Sequence, residues 1–456
     1  MLKTFHIGGI HPPENKLSAN KKIERIPIPS QVVIPLSQHA GAPAVAVVEK
    51  GDEVKVGTLL AKSDGFISAN IHSSVSGKVL KIDDALNSSG YKSPAIYIAV
   101  EDDIWEDNID RSEKLIQECN LEPEEITAKI AAAGIVGMGG AIFPTHAKLT
   151  PPPDSKAEVL IINAVECEPY LTSDHQLMME KGEEILVGTQ ILMKALRVNK
   201  AFIGIENNKK DAIKHLKEIA AHYPDIEIVP LAVKYPQGSE KQLIDAIIGR
   251  LVASGALPVS VGAIVQNAGT AFAVYEAVQK NKALIERVVT VTGKKLSNPC
   301  NVLARIGTPI SELIAFAGGL PEDTEKIVGG GPMMGRALAD TTIPVTKGIS
   351  GVLIMPNLES QRKEMRNCIR CSKCVDVCCM GLIPSFLMNV AEFADWDKAK
   401  QFNILDCAEC GSCSYVCPAN RPLLDYIRLG KRKIVTSYEL QVTSGLHMKS
   451  PIARNL

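Results

Sequence analysis

Nine of the chain's twelve cysteines lie between Cys368 and Cys417. Eight of the nine form two runs with the same C-x2-C-x2-C-x3-C spacing, in which three thiolates can wrap one cubane cluster. In proteins that carry two such clusters, the fourth cysteine of each run ligates the other cluster. We therefore predict two 4Fe–4S clusters. The first is assigned to Cys368, Cys371, Cys374 and Cys417, and the second to Cys407, Cys410, Cys413 and Cys378.

Zinc and disulfides are the alternative interpretations of this region. Zinc sites usually pair two C-x2-C knuckles over a longer gap, and disulfides at such short spacing would be strained. Cys379 follows the first run at the position where Pro418 follows the second. We interpret Cys379 as a packed thiol that is not a ligand.

Composition narrows the possible functions. The chain has 456 residues, 46% hydrophobic and 22% charged, with a formal net charge of −1. These values favour several folded domains and give no electrostatic case for a nucleic-acid partner. We find no run of about 18 apolar residues and no signal peptide, so we expect a soluble chain, or one held at a membrane by partners.

A second motif, GIVGMGGAIFPTHAK at residues 134–148, places four glycines close together ahead of a lysine. The flanking sequence predicts a helix over 122–133, strands over 158–164, 201–205 and 226–229, and a helix over 209–221. Alternating strands and helices indicate a parallel sheet, whose ligands bind beyond the carboxyl ends of the strands. A plain glycine turn is the alternative.

The residue types suit a nucleotide-like cofactor. Glycine amides at 137, 139 and 140 can approach a phosphate closely, and Lys148 adds a cation. Asn163 can bond a planar ring edge, while Glu166 and Glu168 suit ribose hydroxyls or a nicotinamide amide. The motif has neither the Walker ending nor the dinucleotide fingerprint.

Several segments resemble known proteins. GMGGAIFPTHAKL and INAVECEPY resemble the flavin-binding segments of the flavin-bearing subunit of respiratory complex I. The N-terminal FHIGGIHPPENK and the double cysteine motif are similar to the C subunits of Rnf ion-translocating oxidoreductases. This resemblance implies FMN, two 4Fe–4S clusters and NAD(H) as a substrate.

The resemblance also assigns site residues. Flavin-contacting positions are matched by Gly137, Gly139, Gly140, Lys148, Asn163, Glu166, Asn267 and Thr270. Positions on the NADH side are matched by Phe143, Glu168 and Glu240. The family's aromatic clamp on the adenine has no counterpart between Arg250 and Gly262.

The implied fold class is α/β and multidomain. We expect an N-terminal arm with a lipoyl-like barrel sandwich (1–110), an FMN/NADH-binding α/β domain (111–283), a soluble-ligand-binding β-grasp domain (284–345), a two-cluster ferredoxin-like helical domain (346–430) and a C-terminal tail (431–456). Phe66 stands where such barrels carry an attachment lysine. We interpret Gly329–Pro332 as a structural turn.

The expected function is electron transfer between NAD(H) and membrane partners, on the cytoplasmic face of the bacterial inner membrane. The partners implied are other Rnf subunits, including a ferredoxin-like iron–sulfur subunit and integral membrane subunits. Two alternatives remain open at this point. One is the diaphorase subunit of a soluble hydrogenase- or formate dehydrogenase-type complex, and the other is a non-catalytic iron–sulfur adaptor.

Overall fold

The structure, a computed structural model, describes the backbone of residues 2–443. The strands are β1 (Ile23–Arg25), β2 (Gln31–Pro35), β3 (Val45–Ala46), β4 (Glu53–Val54), β5 (Leu59–Lys62), β6 (Ile71–His72), β7 (Gly77–Leu86), β8 (Lys92–Val100), β9 (Val159–Asn163), β10 (Ala201–Glu206), β11 (Ile226–Leu231), β12 (Ala263–Asn267), β13 (Glu286–Thr292), β14 (Cys300–Arg305), β15 (Thr324–Gly329), β16 (Arg336–Ala337) and β17 (Gly351–Pro356).

The α-helices are α1 (Pro123–Ala132), α2 (Thr145–Lys148), α3 (Ser173–Glu180), α4 (Gly182–Leu196), α5 (Lys210–Ala220), α6 (Glu240–Ile248), α7 (Ala268–Gln279), α8 (Ile310–Phe316), α9 (Asn357–Ser360), α10 (Lys373–Asp376), α11 (Pro384–Glu392), α12 (Trp396–Gln401), α13 (Ser412–Tyr415) and α14 (Leu423–Thr443). Short 3-10 helices span Pro258–Val261 and Ile404–Asp406. None of the helices in the described residues is long and apolar enough to cross a membrane.

A parallel sheet in the order β11-β10-β9-β12 forms the middle of the flavin-type domain. Successive residues of β9 face opposite cores: Leu160 and Ile162 pack on one side, and Ile161 on the other. Burial on both faces explains why these strands are continuous apolar runs. The three predicted strands and both predicted helices are confirmed, and β12 is an additional strand.

Residues 31–100 form the barrel sandwich from two antiparallel sheets, β2-β8-β7-β4 and β3-β5-β6. The loop between β5 and β6 carries Phe66, whose ring meets the His146 ring edge-on at 5.8 Å. The Phe66 carbonyl lies 3.0 Å from His146 Nε2. The loop that would carry an attachment lysine in a lipoyl-type barrel therefore packs against the end of the glycine motif.

The β-grasp module contains a six-stranded sheet in the order β1-β14-β13-β17-β15-β16. Here the predicted boundary at residue 345 is wrong, because β17 pairs with both β13 and β15. The sheet also takes β1 from the N-terminal region.

Residues 2–20 form an arm that packs on the flavin-type domain. Ala232 N donates to Lys3 O at 2.9 Å, and Ile10 N donates to Tyr235 O at 2.8 Å. Gly9 N also reaches Val377 O in the first cysteine motif, at 3.0 Å. The arm and the barrel sandwich, predicted together as residues 1–110, thus make different contacts.

The C-terminal domain is helical, with α11 packed against α14 around a small core that includes Leu387, Ile404, Ile427 and Ile434. Helix α14 runs through the predicted boundary at residue 430, so 431–443 continue this domain. Residues 444–456 of the predicted tail lie outside the described residues.

Lys347 is buried where the barrel, the flavin-type domain and the β-grasp module meet. Its Nζ donates to Asn70 O at 2.8 Å and to Gly134 O at 2.7 Å. Burial lowers the pKa of the Lys347 amine to about 7. One side chain of the β-grasp module thus donates hydrogen bonds to both the barrel and the flavin-type domain.

Candidate flavin site and cysteine clusters

Residues 134–144 of the glycine motif form a closed loop between α1 and α2, which we call the glycine loop. Gly137 N donates to Phe143 O at 2.9 Å, and Met138 N donates to Thr270 Oγ1 at 2.9 Å. Gly140 has φ of +103°, where a side chain would be strained, and an added Cβ would meet nothing within 4 Å. Gly140 is therefore explained by backbone conformation, with open space beside it.

Two asparagines occupy equivalent positions at the carboxyl ends of neighbouring strands, since Asn267 of β12 is in register with Asn163 of β9. Asn267 Oδ1 caps α7 by accepting from the Gly269 and Thr270 amides, and its Nδ2 donates to Asp174 Oδ2 at 2.7 Å. Asn163 Nδ2 donates to Gly238 O at 2.7 Å. The glycine loop lies beside them, because a Cβ on Gly139 would lie 3.4 Å from Asn267.

Lys148 and Glu240 contact each other directly, although the resemblance assigns them to different ligands. Lys148 Nζ lies 2.6 Å from Glu240 Oε1 and donates to Val265 O at 3.1 Å. Their side chains are 30% and 36% exposed. An ion pair with this much exposure contributes little to stability, so both groups remain available to a ligand.

Glu166 caps the start of α3. Its carboxylate accepts from Ser173 Oγ at 3.2 Å, from Asp174 N at 2.8 Å and from His175 N at 3.1 Å. A carboxylate at a helix N-terminus is favourable. This position therefore has a structural explanation that the family resemblance does not provide.

Glu168 lies at a junction of three domains, which we call the Glu168 junction. Its carboxylate accepts from Met333 N at 3.1 Å and Met334 N at 2.7 Å in the β-grasp module. Tyr235 OH lies 3.4 Å from Glu168 Oε1 and donates to Cys410 O at 2.8 Å. Burial raises the pKa of the Glu168 carboxyl to about 7.

The three residues predicted on the NADH side have different contacts. Phe143 lies in the glycine loop, Glu240 on Lys148 and Glu168 at the junction. The Gly329–Pro332 turn packs on Glu168, since a Cβ on Gly331 would lie 2.2 Å from Glu168 Oε2. This contact agrees with the interpretation of that segment as a structural turn.

The second cysteine motif and the end of the first surround one small cavity, which we call the inner cavity. The four thiols predicted for the second cluster line it, together with Cys379; they are Cys378, Cys407, Cys410 and Cys413. Leu382 N donates to Cys378 Sγ at 3.3 Å, and Glu409 N donates to Cys407 Sγ at 3.4 Å. Thiol groups that converge and accept amide hydrogen bonds fit a cubane cluster.

The remaining thiols predicted for the first cluster lie closer to solvent. Cys368 and Cys371 are exposed, while Cys374 and Cys417 pack beside Met388 and Leu423. Cys379 is buried, as predicted for a packed thiol. Among the side chains of residues 2–436, no three His, Cys, Asp or Glu gather around a point that could hold a single metal ion.

Sequence reasoning missed two polar residues at the site. Tyr235 precedes Glu240 in a segment that drew attention for its glutamate, and the tyrosine hydroxyl joins that segment to Cys410. Asp174 holds Asn267, and burial raises the pKa of its carboxyl to about 6. Neither contact has a local signal, because the partners lie far apart in the chain.

Comparisons with known proteins agree with this architecture. Residues 130–276 match the Nuo51 FMN-binding domain, residues 3–103 the RnfC barrel sandwich hybrid domain, and residues 288–337 the SLBB domain. The multidomain α/β fold class is thereby confirmed. A NAD+-reducing [NiFe]-hydrogenase in the H2-reduced state matches 72% of this chain and 68% of its own at 18% identity, with a TM-score of 0.49.

Two relatives are similar over almost their whole length. The C subunit of the proton-translocating ferredoxin:NAD(+) oxidoreductase complex of Clostridium ljungdahlii is 48% identical over 94% of this chain and 93% of its own. The C subunit of the Na(+)-translocating ferredoxin:NAD(+) oxidoreductase complex of Acetobacterium woodii is 43% identical over 94% of this chain and 96% of its own. The chain therefore belongs to the family of C subunits of ion-translocating ferredoxin:NAD(+) oxidoreductase complexes.

Proposed function

We propose that this chain exchanges electrons between NAD(H) and the other subunits of a membrane-bound, ion-translocating complex. The observation that carries the proposal is the Tyr235–Cys410 hydrogen bond of 2.8 Å, which joins the flavin-type domain to the inner cavity. The flavin-type domain is thus in direct contact with the loop that lines the thiol cavity. Such contact suits the transfer of electrons from one site to the other.

FMN fits the carboxyl edge of the parallel sheet. The residues that would hold it are Gly137, Gly139, Gly140, Lys148, Asn163, Glu166, Asn267 and Thr270. The open space at Gly140 leaves room for a ligand close to the backbone, and Lys148 offers a cation to a phosphate. When bound, FMN accepts a hydride and releases electrons singly, which matches clusters that take one electron at a time.

On the NADH side we propose Phe143 and Glu240, because Phe143 lies in the glycine loop and Glu240 contacts Lys148 at the end of the glycine motif. The family resemblance assigns Glu168 to that side as well. Its contacts with Met333, Met334 and Tyr235 favour a role in positioning the cluster domain.

For the clusters we propose the exchanged ligand sets. The inner cavity supports the second set, Cys407, Cys410, Cys413 and Cys378, because all four line it. The shared packing of Cys374 and Cys417 supports the first set, with Cys368 and Cys371. We further propose a peripheral location on the cytoplasmic face of the membrane. The partners would include a ferredoxin-like iron–sulfur subunit and integral membrane subunits.

Lys148→Ala tests the flavin part of the proposal. Removing a cation from a bound phosphate should cost roughly 2–5 kcal/mol, by analogy with truncated charged pairs. That is about a 30- to several-thousand-fold loss of FMN affinity. The purified variant should contain little flavin and keep its iron, measured as the flavin-to-iron ratio, and NADH should no longer bleach its visible spectrum.

Two further variants serve as controls. Lys156→Ala removes an exposed lysine of the same domain and should leave the ratio unchanged. Phe143→Ala should retain flavin and slow its reduction by NADH in stopped flow. A Lys148→Ala protein with full flavin and normal bleaching would return the glycine motif to a plain turn.

A further inference from the structure

Residues 361–373 lead into and around the first cysteine motif, and all of them are exposed. Five of these residues are cations and one is acidic, within a chain whose formal net charge is −1. We call the five cations the basic rim; they are Arg362, Lys363, Arg366, Arg370 and Lys373.

Hydrogen bonds fix this segment beside the predicted first cluster. Arg366 N donates to Ala419 O at 2.9 Å, and Asn420 Nδ2 donates to Glu364 O at 3.0 Å. Ala419 and Asn420 follow Cys417, which is the predicted fourth ligand of that cluster. The basic rim therefore lies beside the predicted first cluster.

Most of the rim's charge has no ion-pair partner among the described side chains. Arg362 pairs with Asp425 at 2.9 Å, and within residues 2–436 no ion pair involves the other four cations. Two apolar side chains, Met365 and Ile369, stand among them with exposures of 51% and 68%. Exposed apolar groups ringed by charge are typical of protein interfaces.

The two cysteine sets face opposite ways. Cys410 of the inner cavity is bonded to Tyr235 of the flavin-type domain, whereas Cys368 and Cys371 are open to solvent. An electron that arrives from the flavin-type domain would therefore reach the inner set first and leave through the outer one.

We infer that the basic rim, with Met365 and Ile369, is the port at which the first cluster exchanges electrons with an acidic electron-transfer protein. The inference rests on the proposed clusters. An acidic partner would be attracted by the rim and brought within reach of the exposed cysteines, and such steering raises association rates by about 10- to 1,000-fold.

The experiment compares two holoproteins with the same change in charge. K363E/R366E/R370E reverses three rim cations, and K210E/K214E/K217E reverses three exposed lysines of α5. The probe is an acidic ferredoxin with two 4Fe–4S clusters, reduced in advance and mixed with each protein in stopped flow. The rim variant should react roughly tenfold or more slowly than the control at low salt, and the difference should shrink at high salt.

Iron, sulfide and flavin are measured on the same samples. A wild type without acid-labile sulfide would refute the proposed clusters themselves. If instead the wild type holds about eight iron atoms and the rim variant reacts like its control, the port is refuted while the clusters stand. If the rim variant binds phosphatidylglycerol vesicles less well but reacts normally with ferredoxin, the rim is a membrane contact and the port is again refuted.

K363Q/R366Q/R370Q covers the case in which charge reversal damages the first cluster. It removes the same charges without adding acidic groups. It should keep about eight iron atoms and lie between the wild type and the reversed variant in rate. If this variant reacted with the ferredoxin at the wild-type rate in low salt, the port would be refuted.

Discussion

The two cysteine motifs have identical spacing and opposite surroundings. The inner cavity is enclosed by the cluster domain, with Tyr235 and Met333 of two other domains at the second motif's loop. The first motif begins in an irregular, exposed segment, where Cys368 and Cys371 meet solvent, and ends at Cys378 in the inner cavity. Spacing therefore predicts the kind of site, whereas tertiary contacts determine what each site can reach. Because hydrogen bonds and exposure tune cluster potentials, we expect the two sites to differ in potential as well.

The sharpest test of this difference compares Cys407→Ser with Cys371→Ser. Each change should lower the iron content from about eight atoms to about four. The stability loss should be larger for Cys407→Ser, by roughly 3–5 kcal/mol, because an enclosed site couples cluster binding to packing. Iron analysis and thermal unfolding measure the two effects. Equal destabilisation by the two variants would show that burial makes no difference.

The second test uses pH, because Glu168 is linked to the inner site through Tyr235. Burial raises the pKa of its carboxyl to about 7 from an ordinary value of 4.5, so folding favours the protonated form. The stabilisation that protonation gives is complete below about pH 4.5 and is lost as the pH rises through 7. The full change is roughly 3 kcal/mol.

Glu168→Gln should remove that loss. Its unfolding free energy should fall less than that of the wild type between about pH 5 and pH 8, as measured by denaturant titration. The slope is the informative quantity, because glutamine cannot reproduce both sets of bonds to Met333 and Met334. Parallel pH profiles for the two proteins would contradict the assignment.

The smallest effect is expected for Tyr235→Phe, which removes one hydroxyl from the Glu168 junction. A lost buried hydrogen bond costs about 1–2 kcal/mol. Hydrogen exchange should become faster in residues 407–413, with iron content unchanged. Tyr170→Phe is the matched control, since Tyr170 OH lies 3.4 Å from Glu359 and not at the Glu168 junction. A similar increase in exchange at residues 407–413 in the control would show a general loosening of the fold.

Hydrophobic periodicity in the sequence predicted the strands and the helix of the flavin-type domain. The apolar runs of β9, β10 and β11 and the amphipathic helix α5 follow from periodicity alone. The domain boundary before β17 could not be predicted this way, because its strand partners lie more than 20 residues away in the chain. The same limit applies to the N-terminal arm, whose backbone bonds to residues near 232 and 377.

At the candidate site, residue types indicated the chemistry but not the partners. The glycine loop and the two cysteine runs stand out in the sequence, and the structure places the asparagines of two strands beside that loop. Glu166 and Glu168 look equivalent in the sequence, as carboxylates two residues apart after β9. The positive φ of Glu166, +46°, helps direct its carboxylate to α3, while Glu168 reaches the β-grasp module. Such a divergence depends on backbone geometry that composition does not reveal.

The buried amine of Lys347 limits how this chain can be dissected. Cutting the chain at the domain boundaries would leave the carbonyls of Asn70 and Gly134 without their shared donor. The Lys347 amine would remain in the β-grasp fragment without these two acceptors. The glycine loop begins at Gly134, so its starting point is held from the β-grasp side. Expressed alone, the flavin-type domain would lack the hydrogen bond that holds the start of its glycine loop. A cofactor-binding assay on that fragment would therefore understate the affinity of the intact chain.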